Sequence, residues 1–310
     1  PPFTPSAPVQ RRLQCPRAKS KFLAAPKIMV STLAAGNTSH YLGTKDITMI
    51  PSIVDVAGLN RISRTILSRA AGAICGMVES NISEESDKPL IVASMFGNTT
   101  DCVSMASEVL EAAGYEVLIF HATGTGGQTM EALIESGMVS GVLDLTTTEW
   151  ADELLGATLS AGPKRLDAMS KAGVPAVLCP GCLDMANYGE RSSLPEQLEK
   201  RTLYIHNPQV TLLRTNANEC KKLGRILAEK ANANSAPTAI LNPKKGISLI
   251  SAEGQPFYDP EADSALFGAI HEHATCEVVD YEEEINSKVF AQEAAHKLLE
   301  LIREHQKKPN

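Results

Sequence analysis

Between residues 89 and 181 the chain alternates short apolar runs with amphipathic ones. "PLIVASMF" (89–96), "EVLIFHA" (116–122), "SGVLDLT" (140–146) and "VPAVLCPG" (174–181) have the length and β-branched content of buried strands. The segments between them carry apolar residues at helical spacing, as in Val103, Ala106, Val109 and Leu110. A strand–helix alternation of this kind constrains the chain strongly. It predicts a mainly parallel sheet with helices on both faces, a Rossmann-like, doubly wound α/β fold. Right-handed crossovers follow. The second half continues with "QVTLLRT", a helix over 216–233, a strand over 237–243, a helix over 262–273, a strand over 276–282 and a last helix from Lys288 to about His305.

The expected organisation is a Pro-rich basic leader (1–27), a short first unit (28–80), an acidic linker (81–88), the Rossmann-like domain (89–305) and a tail (306–310). The leader lacks the apolar stretch of a secretory signal. It suits a poorly ordered or organelle-targeting segment ahead of an otherwise cytoplasmic protein. The first unit starts with a strand, "KIMVST", crosses a Gly- and Thr-rich loop and ends in a helix within 54–80.

The net charge of −7 argues against non-specific binding to nucleic acid, whose phosphates require a positive surface. No apolar run reaches the roughly 18 residues that span a bilayer. The seven cysteines show no disulfide spacing, which fits a reducing compartment.

In an open parallel sheet, ligands sit at the carboxyl ends of the strands. Here those ends are rich in Gly, Thr, Asn and Asp. Phe96, Gly97, Asn98, Thr99 and Thr100 follow the first strand. "HATGTGG" follows the second, with His121, Thr123, Gly124, Thr125, Gly126 and Gly127. "DLTTTE", with Asp144, Thr147 and Glu149, follows the third, and "PGCLDMANYG" the fourth. Glycine lets backbone amides close on an anion at a helix start. Two such loops on consecutive strands point to a phosphate or nucleotide site. The pattern is neither a P-loop nor GxGxxG. No lysine lies in either loop, so amides, hydroxyls or a metal would have to meet the charge.

Other polar groups are weighed against plainer roles. His121 and Asp184 are acid–base candidates, or else loop-ordering and turn residues. Asp144 and Glu149 suit a metal, acid–base work or helix capping. Arg214 suits an anion clamp, with His206 and Asn207 nearby. Cys179 and Cys182 form a CxxC, read as redox-active, metal-binding or simply a buried strand end. His271 and His273 do not share a helical face and are discounted as metal ligands.

The stretches "STLAAGNTSHYLGTKDITMIPSIVDVAGLNRISR", "MFGNTTDCV", "YEVLIFHATGTGGQTMEALIESG", "GVLDLTTTEWADELLG", "PGCLDMANYG", "HNPQVTLLRTNANE" and "FYDPEAD" occur in that order. Together they resemble a family of uncharacterised proteins that includes a plant tobamovirus-resistance protein with an ATP-binding domain. The resemblance covers about residues 28–300. It implies two Rossmann-like domains with ATP, with or without Mg²⁺, in the cleft between them, and a protein partner: the plant member binds a viral replication protein. Nucleotide contact is carried onto Phe96–Thr100 and Gly124–Gly127. Only the end of the family's first domain, from about Ile28 to Met77, is expected here. The apolar surface thus exposed would favour a homo-oligomer. The expected function is nucleotide binding with a regulatory or partner-binding role. The alternatives are an enzyme acting on ATP or another phosphorylated small molecule, and a CxxC redox protein.

Overall fold

A computed structural model describes residues 25–80 and 88–307. Most of the leader and linker, and the last three residues of the tail, lie outside them. The first unit pairs β1 (Ile28–Ser31) with β2 (Thr48–Pro51) in parallel. A one-turn helix, α1 (Ser39–Leu42), lies between them. Its long helix, α2 (Arg61–Glu79), starts later than the apolar pattern suggests. Asn60 is the reason: its Oδ1 accepts from the amides of Ile62 and Ser63, both at 2.9 Å, and so caps the helix there.

The larger unit has the expected alternation. β3 (Leu90–Met95), α3 (Thr100–Ala112), β4 (Glu116–His121), α4 (Thr125–Glu135), β5 (Val139–Thr146), α5 (Glu149–Leu155), α6 (Ala168–Ala172) and β6 (Ala176–Gly181) follow in order. Then come β7 (Met185–Tyr188), β8 (Leu203–Asn207), β9 (Val210–Arg214), α7 (Ala217–Asn232), β10 (Thr238–Pro243), α8 (Pro260–His273), β11 (Glu277–Tyr281) and α9 (Lys288–Lys307). Six strands form one parallel sheet in the order β11-β10-β6-β5-β3-β4. This is a doubly wound fold whose strand order reverses between β3 and β5.

Successive strand residues point to opposite faces. Val92, Val142, Leu178 and Ile240 join a core with Met130, Trp150, Leu223 and Leu266. Their neighbours Ile91, Leu143, Val177 and Leu241 face the other way, onto Val103 and Leu110 of α3 and Phe290 and Leu298 of α9. Helices thus cover both faces. The segment "MANY", read as loop, instead forms β7, the first strand of a small antiparallel sheet ordered β7-β9-β8. Among the described residues no helix is long and apolar enough to cross a membrane.

Candidate functional site

The reversal of strand order brings the ends of β3 and β5 side by side, and hydroxyl groups join them. Ser94 Oγ donates to Asp144 Oδ1 at 2.6 Å. The Thr99 and Thr146 hydroxyls lie 2.8 Å apart. Thr147 Oγ1 donates to the Cys179 carbonyl at 2.9 Å. Thr99, Thr146, Thr147 and Thr148 are all fully buried. These polar residues at the switch point therefore satisfy one another.

The carboxylates of this region converge on one cation. Arg165 is buried and grips Asp144 with two nitrogens, at 2.6 and 2.8 Å. Its Nε donates to Glu149 Oε2 at 2.6 Å, and Nη1 to Glu131 Oε1 at 3.0 Å. Burial disfavours the charge on Arg165, but Asp144 and Glu149 override it and hold the guanidinium firmly protonated. The structure puts Arg165 in a turn before α6, where Leu166 has φ of 72°. Nothing local marks this arginine; its partners are 16 to 34 residues away.

The other oxygen of Glu149 reaches the glycine turn. Glu149 Oε1 accepts from the amides of Gly124, at 2.7 Å, and Gly127, at 3.1 Å. The glycines are needed for this arrangement. Gly124 has φ of 81°, and a Cβ there would lie 2.7 Å from the Ser160 carbonyl. A Cβ on Gly127 would overlap the Glu149 carboxylate. The inner side of the turn thus holds a carboxylate of the same chain.

The outer side stays accessible. Thr125 and Gln128 are exposed at the start of α4. Together with Gly36, Asn37, Thr38, Leu42 and Gly43 they line a groove of about 480 Å³ between the first unit and the larger one. α4 is an 11-residue helix, and its first amides, including that of Gly126, have no intrahelical acceptor. His121 is exposed beside this turn, its ring edge-on to Phe96 at 5.3 Å. Gly97 and Thr100 are exposed and Asn98 is half-buried, with its carbonyl accepting from Leu249 and Asn286. Phe96–Thr100 and His121–Gly127 thus stand together, but Thr99, Thr147, Gly124 and Gly127 present their polar groups inward.

Asp184 lies in the turn between β6 and β7. It is fully buried, accepts from Ser248 Oγ at 2.8 Å through Oδ2, and has no partner at Oδ1 among the described residues. Burial raises its carboxyl above the ordinary range, against the pull of Arg214. Arg214 clamps an internal anion: Nη2 lies 2.5 Å from Asp263 Oδ1, and Nε donates to the Phe257 carbonyl. His206 and Asn207 are exposed on β8. Cys179 and Cys182 are buried, and burial pushes both thiols far up. No group of three or more His, Cys, Asp or Glu among the described residues has metal-holding geometry.

Comparison with known proteins adds the kinship. The profile of the uncharacterised protein family (UPF0261) C-terminal domain matches residues 88–302, and that of its N-terminal domain matches residues 13–83. A UPF0261 protein of Clostridium tetani is 50% identical over 281 residues, covering 89% of this chain and 70% of that one. One from Mesorhizobium japonicum is 47% identical over 248 residues, covering 80% and 62%. The ToMV resistance protein Tm-1(GCR237) of Solanum lycopersicum is 38% identical over 289 residues, covering 90% of this chain and 38% of that one. The chain thus spans about two thirds of the bacterial relatives and under half of the tomato protein. A metagenome-derived lipolytic enzyme overlays at a TM-score of 0.37 and 12% identity, covering 70% of this chain and 95% of that one, too remote to bear on fold or chemistry.

Proposed function

The chain belongs to the UPF0261 family, and from that premise we propose that it binds a nucleotide, ATP, in the groove between its first unit and the start of α4, in a regulatory or partner-binding role. One observation carries the reading. The groove is lined by Gly, Thr, Asn and Gln residues together with Leu42, beside the turn that joins the parallel strand β4 to the start of α4.

The fit of ATP to these residues is partial and specific. The amides of Gly124 and Gly127 are engaged by Glu149, so the phosphates meet Thr125, Gln128 and the turn around Thr38. Among the described residues, none that lines the groove is charged. Charge-assisted bonds are therefore few at the lining, and affinity is modest. A regulatory role needs binding without turnover. Viral resistance, in the name of the tomato relative, is compatible with such a role.

Thermal melting of the 310-residue chain with ATP, AMP or inorganic phosphate tests this. Ligand that binds only the folded state stabilises it by RT ln(1 + [L]/Kd), so the melting temperature rises with the logarithm of concentration once the site is saturated. ATP is expected to raise it more than AMP or phosphate. Equal or absent shifts with all three defeat the proposal.

A further inference from the structure

A second hollow, of about 670 Å³, lies at the opposite edge of the sheet, at the carboxyl ends of β10 and β11. This volume suits a small-molecule site. Phe267 of α8 and Tyr258 provide apolar walls, and Gly268 leaves the helix face open.

The polar groups of the hollow are mainly acceptors. His271 Nε2 lies 2.9 Å from Asp280 Oδ1, and Asn242 Nδ2 donates to the same oxygen at 2.9 Å. Burial alone would raise Asp280, but the hydrogen bonds from Asn242 and His271 keep it below the ordinary carboxylate range. Asn242 is itself fully buried, and its Oδ1 has no partner among the described residues. Three further carboxylates, Glu253, Glu283 and Glu284, line the hollow, and their side chains have no ion-pair partner among the described residues. Asp263 is matched by Arg214. Against these stand Lys245 and Lys244, the latter within 4 Å of both Asp280 and Glu282. Carboxylates outnumber ammonium groups, so the local potential favours a cation. An aromatic wall beside carboxylates also suits a cation that carries methylene groups.

We propose that this hollow binds a small organic ammonium compound, its N–H groups held by the free carboxylates and the His271–Asp280 pair and its carbon chain lying over Phe267 and Tyr258. Nothing in it depends on the nucleotide groove.

Putrescine and succinate, of equal chain length and opposite charge, are the probes. Each is titrated into the full chain while the imidazole resonance of His271, assigned with His271→Gln, is followed by NMR. Putrescine is expected to shift that resonance saturably and succinate not. Glu253→Gln with Glu283→Gln is expected to weaken putrescine about tenfold with an unchanged melting temperature. The proposal is overturned if neither probe binds, if succinate binds as well as putrescine, or if the double variant binds putrescine like the parent.

Discussion

Glu149 Oε1 accepts a 2.7 Å hydrogen bond from the amide of Gly124, so the glycine turn after β4 closes on a carboxylate from the start of α5. The inner amides of the turn, those of Gly124 and Gly127, hold a carboxylate of their own chain. The pair is completed by Arg165, whose Nε lies 2.6 Å from the other oxygen of Glu149. The glycine turn, the end of β5 and the turn before α6 are thereby one buried electrostatic unit.

Removing the cation should expose the strain in that unit. Arg165→Met leaves Asp144 and Glu149 buried without their counter-charge. Breaking a buried pair from one side costs about 3–5 kcal/mol. Urea unfolding is expected to show that loss. A loss under about 1 kcal/mol would mean that the network contributes little to stability.

The glycines should be intolerant for reasons internal to the fold. A Cβ on Gly126 would overlap the His121 carbonyl, and one on Gly127 the Glu149 carboxylate. Alanine at either position is expected to destabilise by at least about 1–3 kcal/mol, with or without ATP. Gly72, inside α2 with open space around it, is the control. Gly72→Ala should stabilise by about 0.5–1 kcal/mol. Unfolding midpoints of the three variants decide the matter, and equal tolerance at 72 and 127 would contradict the close approach.

Asp152 should make stability depend on pH. It is buried, bonded to Asn187 and the Leu159 amide, and burial pushes its carboxyl from 3.8 up to about 7. The folded state thus binds a proton more tightly than the unfolded one. Its contribution is complete below about pH 4 and is lost as pH rises through 7, with a slope of up to about 1.4 kcal/mol per unit. Asp263, pushed up to about 6, acts in the same direction. Unfolding free energies at pH 5 and 7.5 should fall less for Asp152→Asn than for the parent. Parallel pH dependence in the two would show that another group is responsible.

The sheet was legible in the sequence, and the site much less so. Buried parallel strands need continuous apolar runs, so "PLIVASMF" and "VPAVLCPG" betray their place locally. The doubly wound topology follows from the alternation. The polar network has no such period. Glu149 meets Gly124 at a separation of 25 residues, and Arg165 meets Glu131 at 34. Composition pointed to a phosphate or nucleotide at the turn and gave no sign that Glu149 takes two of its amides. His271 and Asp280 were missed as a pair because they lie on different elements, α8 and β11, and meet only when the strand lies beside β10. β7 was hidden because "MANY" is too short to show a strand period.

The CxxC should be inert. Cys179 and Cys182 are buried with thiols far above their ordinary range, and thiolate is the reactive form. Cys75 is exposed. Brief native alkylation read by mass spectrometry should label Cys75 and leave 179 and 182 untouched. Rapid labelling of either, or a disulfide between them, would revive the redox reading.

The most direct test of the nucleotide proposal is calorimetric titration of the full chain with ATP, in parent and in Thr125→Glu with Gln128→Glu. Both positions are exposed and only the long 3.4 Å bond from Gln128 Nε2 to the Ala161 carbonyl is given up, so the fold should survive. Two new carboxylates at the groove would face the phosphates, and like-charge repulsion should weaken binding by about tenfold or more. Binding to the parent with that loss in the variant is the predicted result. No binding to the parent, or equal binding to both, would contradict a nucleotide in this groove.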